Sequence, residues 1–310
     1  MDINLFIKIR NGLSLKKRRV LNLGFSLNVT KKYRENHKVL TRNINRSSET
    51  KIAVVVHLFY EESWDVIQKN LKNLNKPFDL FISIPSRTFK VIDKIQKDYP
   101  LVYIYETPNR GRDVLPFIKI LPVIREKGYL YILKIHSKKS THRIDGNEWM
   151  NGMLESLLPN NKQIFNKLIN VLDKKDTGLI GPSGQYIQLT VNFEANGVLM
   201  TEILKLIYHN KVTVFNVLQS NRTDYGFFAG TMFWARIDSL DKIVNHNFGV
   251  YKFNSEAGQI DGTLAHAFER VFCLIPEIDG KHMYEISPDN IMKINYKTNN
   301  IPDWSDVYIG

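Results

Sequence analysis

From Lys51 onward, apolar residues recur with two alternating periods: short continuous runs rich in β-branched residues, and longer stretches with apolar positions three or four apart. Residues 51–59 (KIAVVVHLF) make the first run, unbroken enough to predict a strand buried on both faces, as in a parallel sheet. A helix over 61–74 follows, with Trp64, Ile67, Leu71 and Leu74 along one stripe, and Pro77 stops it before a strand at 78–84. The same alternation predicts a helix at 88–97, a strand at 101–105, a helix at 113–127 and a strand at 129–135. Helices over 149–158 and 162–173, a short run at 178–182 and a helix near 200–209 come next. Such repetition predicts a doubly wound, nucleotide-binding layout with right-handed crossovers. Residues 225–236 read as one aromatic, glycine-punctuated strand, and Leu264, Phe268 and Phe272 as the buried stripe of a last helix.

Composition bounds the class. A chain of 310 residues, 43% hydrophobic and 24% charged, can bury a full core. Its single cysteine, Cys273, excludes a disulfide framework and any CxxC metal site; flanked by Val271, Phe272, Leu274 and Ile275 it reads as a small buried hydrophobe in a reducing compartment. No window approaches the ~18 uninterrupted apolar residues of a membrane span, and the first residues lack the order of a signal peptide, so a cytoplasmic location is expected.

The net charge of +12 is uneven: residues 1–50 hold twelve Lys or Arg against Asp2, Glu35 and Glu49, a balance of +9. There Ile3, Leu5, Phe6, Ile7 and Ile9 alternate incompletely with Lys8 and Arg10, and Lys16, Lys17, Arg18 and Arg19 precede Leu21, Leu23, Phe25 and Leu27. Such a basic amphipathic extension suits an anionic membrane surface, where each basic residue contributes about 1 kcal/mol, and it would hold the protein peripherally on the inner face of the membrane. A solvated leader is the plainer alternative. Nucleic acid is not expected, because no helix-turn-helix, zinc finger or stacking-aromatic motif accompanies the charge.

Candidate chemistry falls in three places. Residues 108–117 (PNRGRDVLPF) interrupt an apolar segment at a strand's carboxyl end: Asn109 and Gly111 leave room for backbone N–H groups to approach an anion, and Arg110 and Arg112 can clamp diphosphate oxygens bidentately. Asp113 would cap the following helix or hold a nucleoside. Residues 134–142 (KIHSKKSTH) bring Lys134 and His136 to one strand face and add Lys138 and Lys139, so two cationic loops converge on one crevice, with His57 and Tyr60 at the end of the first strand beside them. Near Gly230, Trp234 offers an apolar face for an acceptor sugar, although packing explains Phe227, Phe228, Met232 and Phe233 equally well. Glu256 and Asp261 supply carboxylates beside a glycine turn, and His266 a second kind of base, any of which can deprotonate an acceptor hydroxyl; capping is the simpler role for Asp261.

Five ordered strings, VHLFYEESWD, PNRGRDVLPF, LKIHSKKSTH, AGTMFWAR and EAGQIDGTLAHAFERVF, together resemble the rhamnan synthesis protein F family of bacterial rhamnosyltransferases over roughly residues 51–272. The leader lies outside that resemblance. It implies transfer of L-rhamnose from a dTDP-activated donor to a growing cell-surface polysaccharide, with a lipid-linked glycan as acceptor. With the strand series it implies a glycosyltransferase-A-like, Rossmann-type α/β fold: a mixed, mostly parallel sheet flanked by helices over 51–285, a basic extension over 1–50 and a tail over 286–310. Enzymes of that architecture usually end the fourth strand in Asp-x-Asp, which holds a divalent metal; here the place reads His136, Ser137, Lys138, and Glu277-Ile278-Asp279 is a weaker acidic substitute expected on a late strand. No cofactor is therefore required by the pattern, although a divalent metal held elsewhere stays open. The alternative is a nucleotide-sugar or polysaccharide-assembly binding protein without turnover.

If the leader is a membrane anchor, the full chain will sediment with anionic vesicles and be released near ~1 M salt, where screening confines exposed charges to a few ångströms. A chain lacking residues 1–50 that sediments equally well rules the anchor out.

Overall fold

A computed structural model describes residues 50–85, 90–137, 146–190, 193–208, 218, 224–249 and 252–295. The leader, Lys138 and Lys139 lie outside the described residues. In chain order the elements are β1 (Ile52–His57), α1 (Trp64–Leu71), β2 (Phe78–Pro85), α2 (Ile92–Asp98), β3 (Tyr103–Thr107), α3 (Val114–Glu126) and β4 (Tyr131–His136). Then come α4 (Gly146–Leu157), α5 (Lys162–Leu172), β5 (Thr177–Pro182), β6 (Tyr186–Gln188), α6 (Phe193–Ile207), β7 (Gly226–Phe228) and β8 (Phe233–Arg236). α7 (Asp241–Val244), α8 (Leu264–Ile278), β9 (His282–Ile286) and β10 (Ile291–Lys293) complete the fold.

Eight strands make one sheet in the order β10-β9-β5-β8-β4-β1-β2-β3. β1 pairs in parallel with both β2 and β4, and β2 with β3, as the alternating strand and helix pattern predicts. After β3 the chain therefore returns to the other side of β1, which makes the carboxyl ends of β1 and β4 a topological switch point. β8 runs antiparallel between β4 and β5, and β9 runs parallel to β5, so the sheet is mixed but mostly parallel. β10 pairs with β9, so the sheet continues past residue 285 into the stretch expected as a tail.

Two apolar layers cover the sheet, and strand alternation decides which residue serves which. Ala53 and Val55 of β1 and Ile132 of β4 face the layer of α3, α6 and α8, with Phe117, Leu121, Phe268 and Phe272. Ile52, Val54 and Val56, with Leu133 and Ile135, face the layer of α1, α4 and α5, with Trp64, Leu154 and Phe165. By the same alternation, His57, Lys134 and His136 belong to the α3 and α8 side. Leu264, Phe268, Phe272 and Cys273 are buried in that layer, as their spacing predicts.

The expected single strand over 225–236 is two strands in two sheets. β7 pairs with β6 as a separate ribbon, and β8 enters the main sheet. Between them Gly230 (φ 87°) and Thr231 (φ 56°) reverse the chain in the left-handed region. That break also decides Trp234. It pairs across from Leu133, faces the α4 and α5 layer, is 0% exposed, and donates its indole N–H to the Leu157 carbonyl at 2.8 Å. Trp234 is thus a core residue on the opposite side of the sheet from Lys134, and no sugar can reach it. Trp234→Phe should cost about 1–3 kcal/mol in urea denaturation, from the lost packing and hydrogen bond; a variant of unchanged stability would restore a surface role.

Candidate functional site

The switch point is floored by polar side chains that a central strand rarely carries. His57 and His136 sit opposite each other at the ends of β1 and β4, and Lys134 lies opposite Val55. Nδ1 of His57 lies 2.9 Å from the Ser83 hydroxyl. Burial pushes His57 down to about 3, with His136 and Lys134 adding to the shift against the pull of Asp113, so it is neutral at physiological pH. His136 donates its Nε2–H to the Gly230 carbonyl at 2.6 Å. Ser137 accepts the backbone N–H groups of Phe59 (2.7 Å) and Tyr60 (2.9 Å), tying the loop after β1 to the end of β4.

Lys134 is 1% exposed, between the rings of Phe117 and Phe233 at 5.4 and 5.8 Å. A buried ammonium needs acceptors. The carboxylate of Asp113 and the Thr231 carbonyl at 2.7 Å serve it. Asp113 therefore does not cap α3 through its side chain, contrary to expectation, although it occupies the N-cap position. Burial alone would raise its pKa; Lys134, His136 and His57 outweigh that and hold it below the usual carboxylate range. Lys134 consequently presents no uncompensated charge to a ligand.

Glu269, which the sequence pattern did not single out, secures the turn whose carbonyls Lys134 and His136 use. Its Oε1 accepts the Gly230 N–H at 2.8 Å and the Thr231 hydroxyl at 3.2 Å. Thr231 is β-branched in a left-handed conformation, a costly state that persists only when its surroundings over-determine it. The signal in the sequence was its position, three residues after His266 and one helical turn along α8.

One wall of the crevice is the loop after β3. Gly111 (φ 62°) and Arg112 (φ 53°) both adopt left-handed backbone, and a Cβ on Gly111 would meet the Phe253 ring at 2.5 Å. Facing them, residues 253–262 add an extended strap: Gly111 N–H donates to Asn254 O (3.2 Å), Glu256 N–H to Asn109 O (3.3 Å), and Arg110 Nε–H to Phe253 O (3.0 Å). Arg112 is held by the strap. Its Nε and Nη2 donate to the two oxygens of Glu256 at 2.9 and 3.4 Å, its Nη2 also to Gln259 O, and its Nη1 to Nε2 of His266 at 2.8 Å. The half-buried guanidinium of Arg110 has no carboxylate within salt-bridge distance among the described residues.

These contacts separate the three candidate bases. Nε2 of His266 lies against the Arg112 guanidinium, and Nδ1 lies 3.3 Å from the backbone N–H of Thr263, which donates to it, 2.9 Å from the Thr263 hydroxyl and 3.7 Å from Asp261. Burial and Arg112 lower the His266 pKa, against Glu269 and Asp261. Glu256 is also engaged by Arg112. Asp261 is not: its Oδ1 accepts from Asn196 Nδ2 and Gly262 N–H, both at 2.9 Å, and Oδ2 lies 3.6 Å from Arg270. The N-cap of α8 is Thr263, so Asp261 does not have the capping role expected of it. Gly230 is buried under Trp149 and Met153, and serves the turn rather than a sugar surface. Among the described residues no three His, Cys, Asp or Glu side chains converge as a metal site. Glu277 and Asp279 stand at the end of α8, not on a strand, where Glu277 accepts from Tyr186 and Asp279 from Tyr208. No helix among the described residues is long and apolar enough to cross a membrane.

A mixed, mostly parallel α/β sheet with a cationic crevice at its switch point defines the class of this protein. Within that class the chain belongs to the rhamnan synthesis protein F family, whose model matches residues 18–280. The match begins inside the basic leader, which is therefore not wholly peculiar to this chain. It is also similar to uncharacterized protein WxcX of two strains of Xanthomonas campestris pv. campestris, 31% identical over 219 residues. That alignment takes in 70% of this chain and 30% of the relative, so the chain spans under a third of those proteins.

Lys134→Met should leave Asp113 buried without its partner and destabilise the protein by about 3–5 kcal/mol at neutral pH, measured by urea denaturation. Because the folded pKa of Asp113 is depressed, its stabilisation is present above the unfolded value near ~4 and lost as pH falls through the folded one. The deficit of Lys134→Met should therefore shrink in acid, and adding Asp113→Leu should recover most of it; a deficit flat across pH would sink the ion-pair account.

Proposed function

We propose that this protein is a glycosyltransferase that moves L-rhamnose from dTDP-rhamnose to a growing cell-surface polysaccharide, its acceptor a lipid-linked glycan. Membership of the rhamnan synthesis protein F family supports the polysaccharide. The observation that carries the reading is an arginine loop at the switch point beside a strap whose Asp261 carboxylate Arg112 does not occupy. Arg110 and Arg112 bind the donor diphosphate, helped by Asn109 and the Gly111 backbone, with Lys138 and Lys139, which follow His136 in the sequence. His57, His136, Lys134 and Asp113 are the rigid floor that sets the loop's position, and Tyr60 lines the rim.

Asp261 is the base. It takes the proton of an acceptor hydroxyl as that oxygen bonds to the anomeric carbon; the bond from that carbon to the diphosphate breaks, dTDP leaves with the electron pair, and the configuration inverts. The guanidiniums stabilise the charge developing on the leaving group, the part a divalent metal has in related architectures.

Three measurements on one preparation test this. A nucleotide-sugar panel in thermal denaturation should give dTDP-rhamnose the largest shift, since a ligand at a hundred times its dissociation constant stabilises by about 2.7 kcal/mol. Transfer should persist in excess EDTA, and Arg112→Ala should abolish donor binding. Absence of any shift refutes the transferase; loss of activity on chelation, restored by magnesium or manganese, refutes the metal-free mechanism. A donor shift that survives Asp261→Asn with no transfer in either chain marks a binding protein instead.

A further inference from the structure

The Arg112 fork is already filled, and by a group shaped like its ligand. A guanidinium binds carboxylate and phosphate through the same paired N–H donors, so an acid in bidentate contact occupies the place of two phosphoryl oxygens. Glu256 does this with Oε2 on Nε and Oε1 near Nη2, and its Oε1 also accepts the Gly258 N–H at 3.1 Å. Both partners are about a quarter exposed, 27% and 24% at the side chain, so the contact is open to exchange with solvent and solutes.

The segment that carries Glu256 is lightly attached. Phe253 anchors one end, 0% exposed against Gly111 and stacked on Phe268, and Thr263 anchors the other as the cap of α8. Between them Asn254, Ser255, Ala257, Gly258, Ile260 and Gly262 are exposed, Ile260 at 73%. Gly258 and Gly262 both sit at φ 73°; a Cβ on Gly258 would touch nothing within 4 Å, so that turn is not wedged in place by packing, while Gly262 rests beside Ala195. The strap adds a bridge between Ser255 and Arg110 and the few backbone bonds to Asn109 and Gly111.

We propose that Glu256 is an internal stand-in for the donor's diphosphate: its carboxylate neutralises Arg112 in the empty protein, and the nucleotide diphosphate binds by displacing it, which releases the strap over residues 254–262. This rests on the donor-binding reading of Arg112. Displacement also moves the strap that carries Asp261, the base, so donor arrival and the setting of the base are one event.

Removing the competitor should strengthen anion binding, whereas damage to a structural contact should weaken it. Binding of dTDP and of inorganic pyrophosphate is measured by calorimetry on the full chain, Glu256→Gln, Arg112→Ala and the double variant, with melting curves to show that each folds. Glu256→Gln should bind dTDP about two- to fivefold more tightly than the unaltered chain, the range for losing one partly exposed ion pair. Arg112→Ala should lose binding, and Glu256→Gln should gain nothing in that background. Unchanged or weaker binding by a folded Glu256→Gln overturns the stand-in while leaving the donor site intact. A gain that persists without Arg112 overturns it too, because the effect is then general charge. If the unaltered chain and Glu256→Gln both bind neither probe, the donor site and the stand-in fall together.

Discussion

A lysine buried in the middle of a sheet has to be answered by an acid, and that requirement organises this protein's crevice. Lys134 reaches Asp113 across the boundary between β4 and the loop after β3, and takes the Thr231 carbonyl as its second acceptor. Three segments distant in sequence are thereby fixed to one point. Such pairs add little net stability against well-packed apolar side chains, but breaking one leaves a buried charge, so they specify position more than they stabilise. Here the position specified is that of the arginine loop relative to the strand ends.

Backbone strain shows where that specification is concentrated. Arg112 and Thr231 are the non-glycine residues with positive φ among those described, and both touch the same network. Thr231 is held by Glu269 from α8, and Arg112 by Gly111, whose missing Cβ lets the Phe253 ring close on it. Strained residues on either side of one crevice, each pinned by a separate element, are what a pre-organised binding site needs.

Much of this was legible in the chain. The unbroken β-branched run of β1 and the helical stripe through Trp64 and Ile67 give the parallel order, and the two-residue spacing of Lys134 and His136 gives their common face. Trp234 was not legible, because its side of the sheet depends on register with Leu133, and the chain between Tyr225 and Arg236 does not show that Gly230 and Thr231 break it into two strands. The role of Asp113 was misjudged for a related reason: a residue before a helix reads as a cap, and only the fold reveals a buried ammonium competing for it. Asp261 lost its capping place to Thr263, two residues on, whose hydroxyl lies against His266.

The charge of the crevice is mostly spent internally. Lys134 is matched by Asp113, Arg112 by Glu256, and His57 is kept neutral by burial, so the assembled site is far less cationic than its residue types suggest. A single anion approaching such a site gains little, because it must replace an acceptor already in place. A ligand with two linked anionic groups, as the proposed donor has, would differ, because it could engage Arg112 and Arg110 together. Selectivity then comes from the number of simultaneous contacts rather than from long-range attraction, the arrangement expected where simple phosphate is abundant and must be refused.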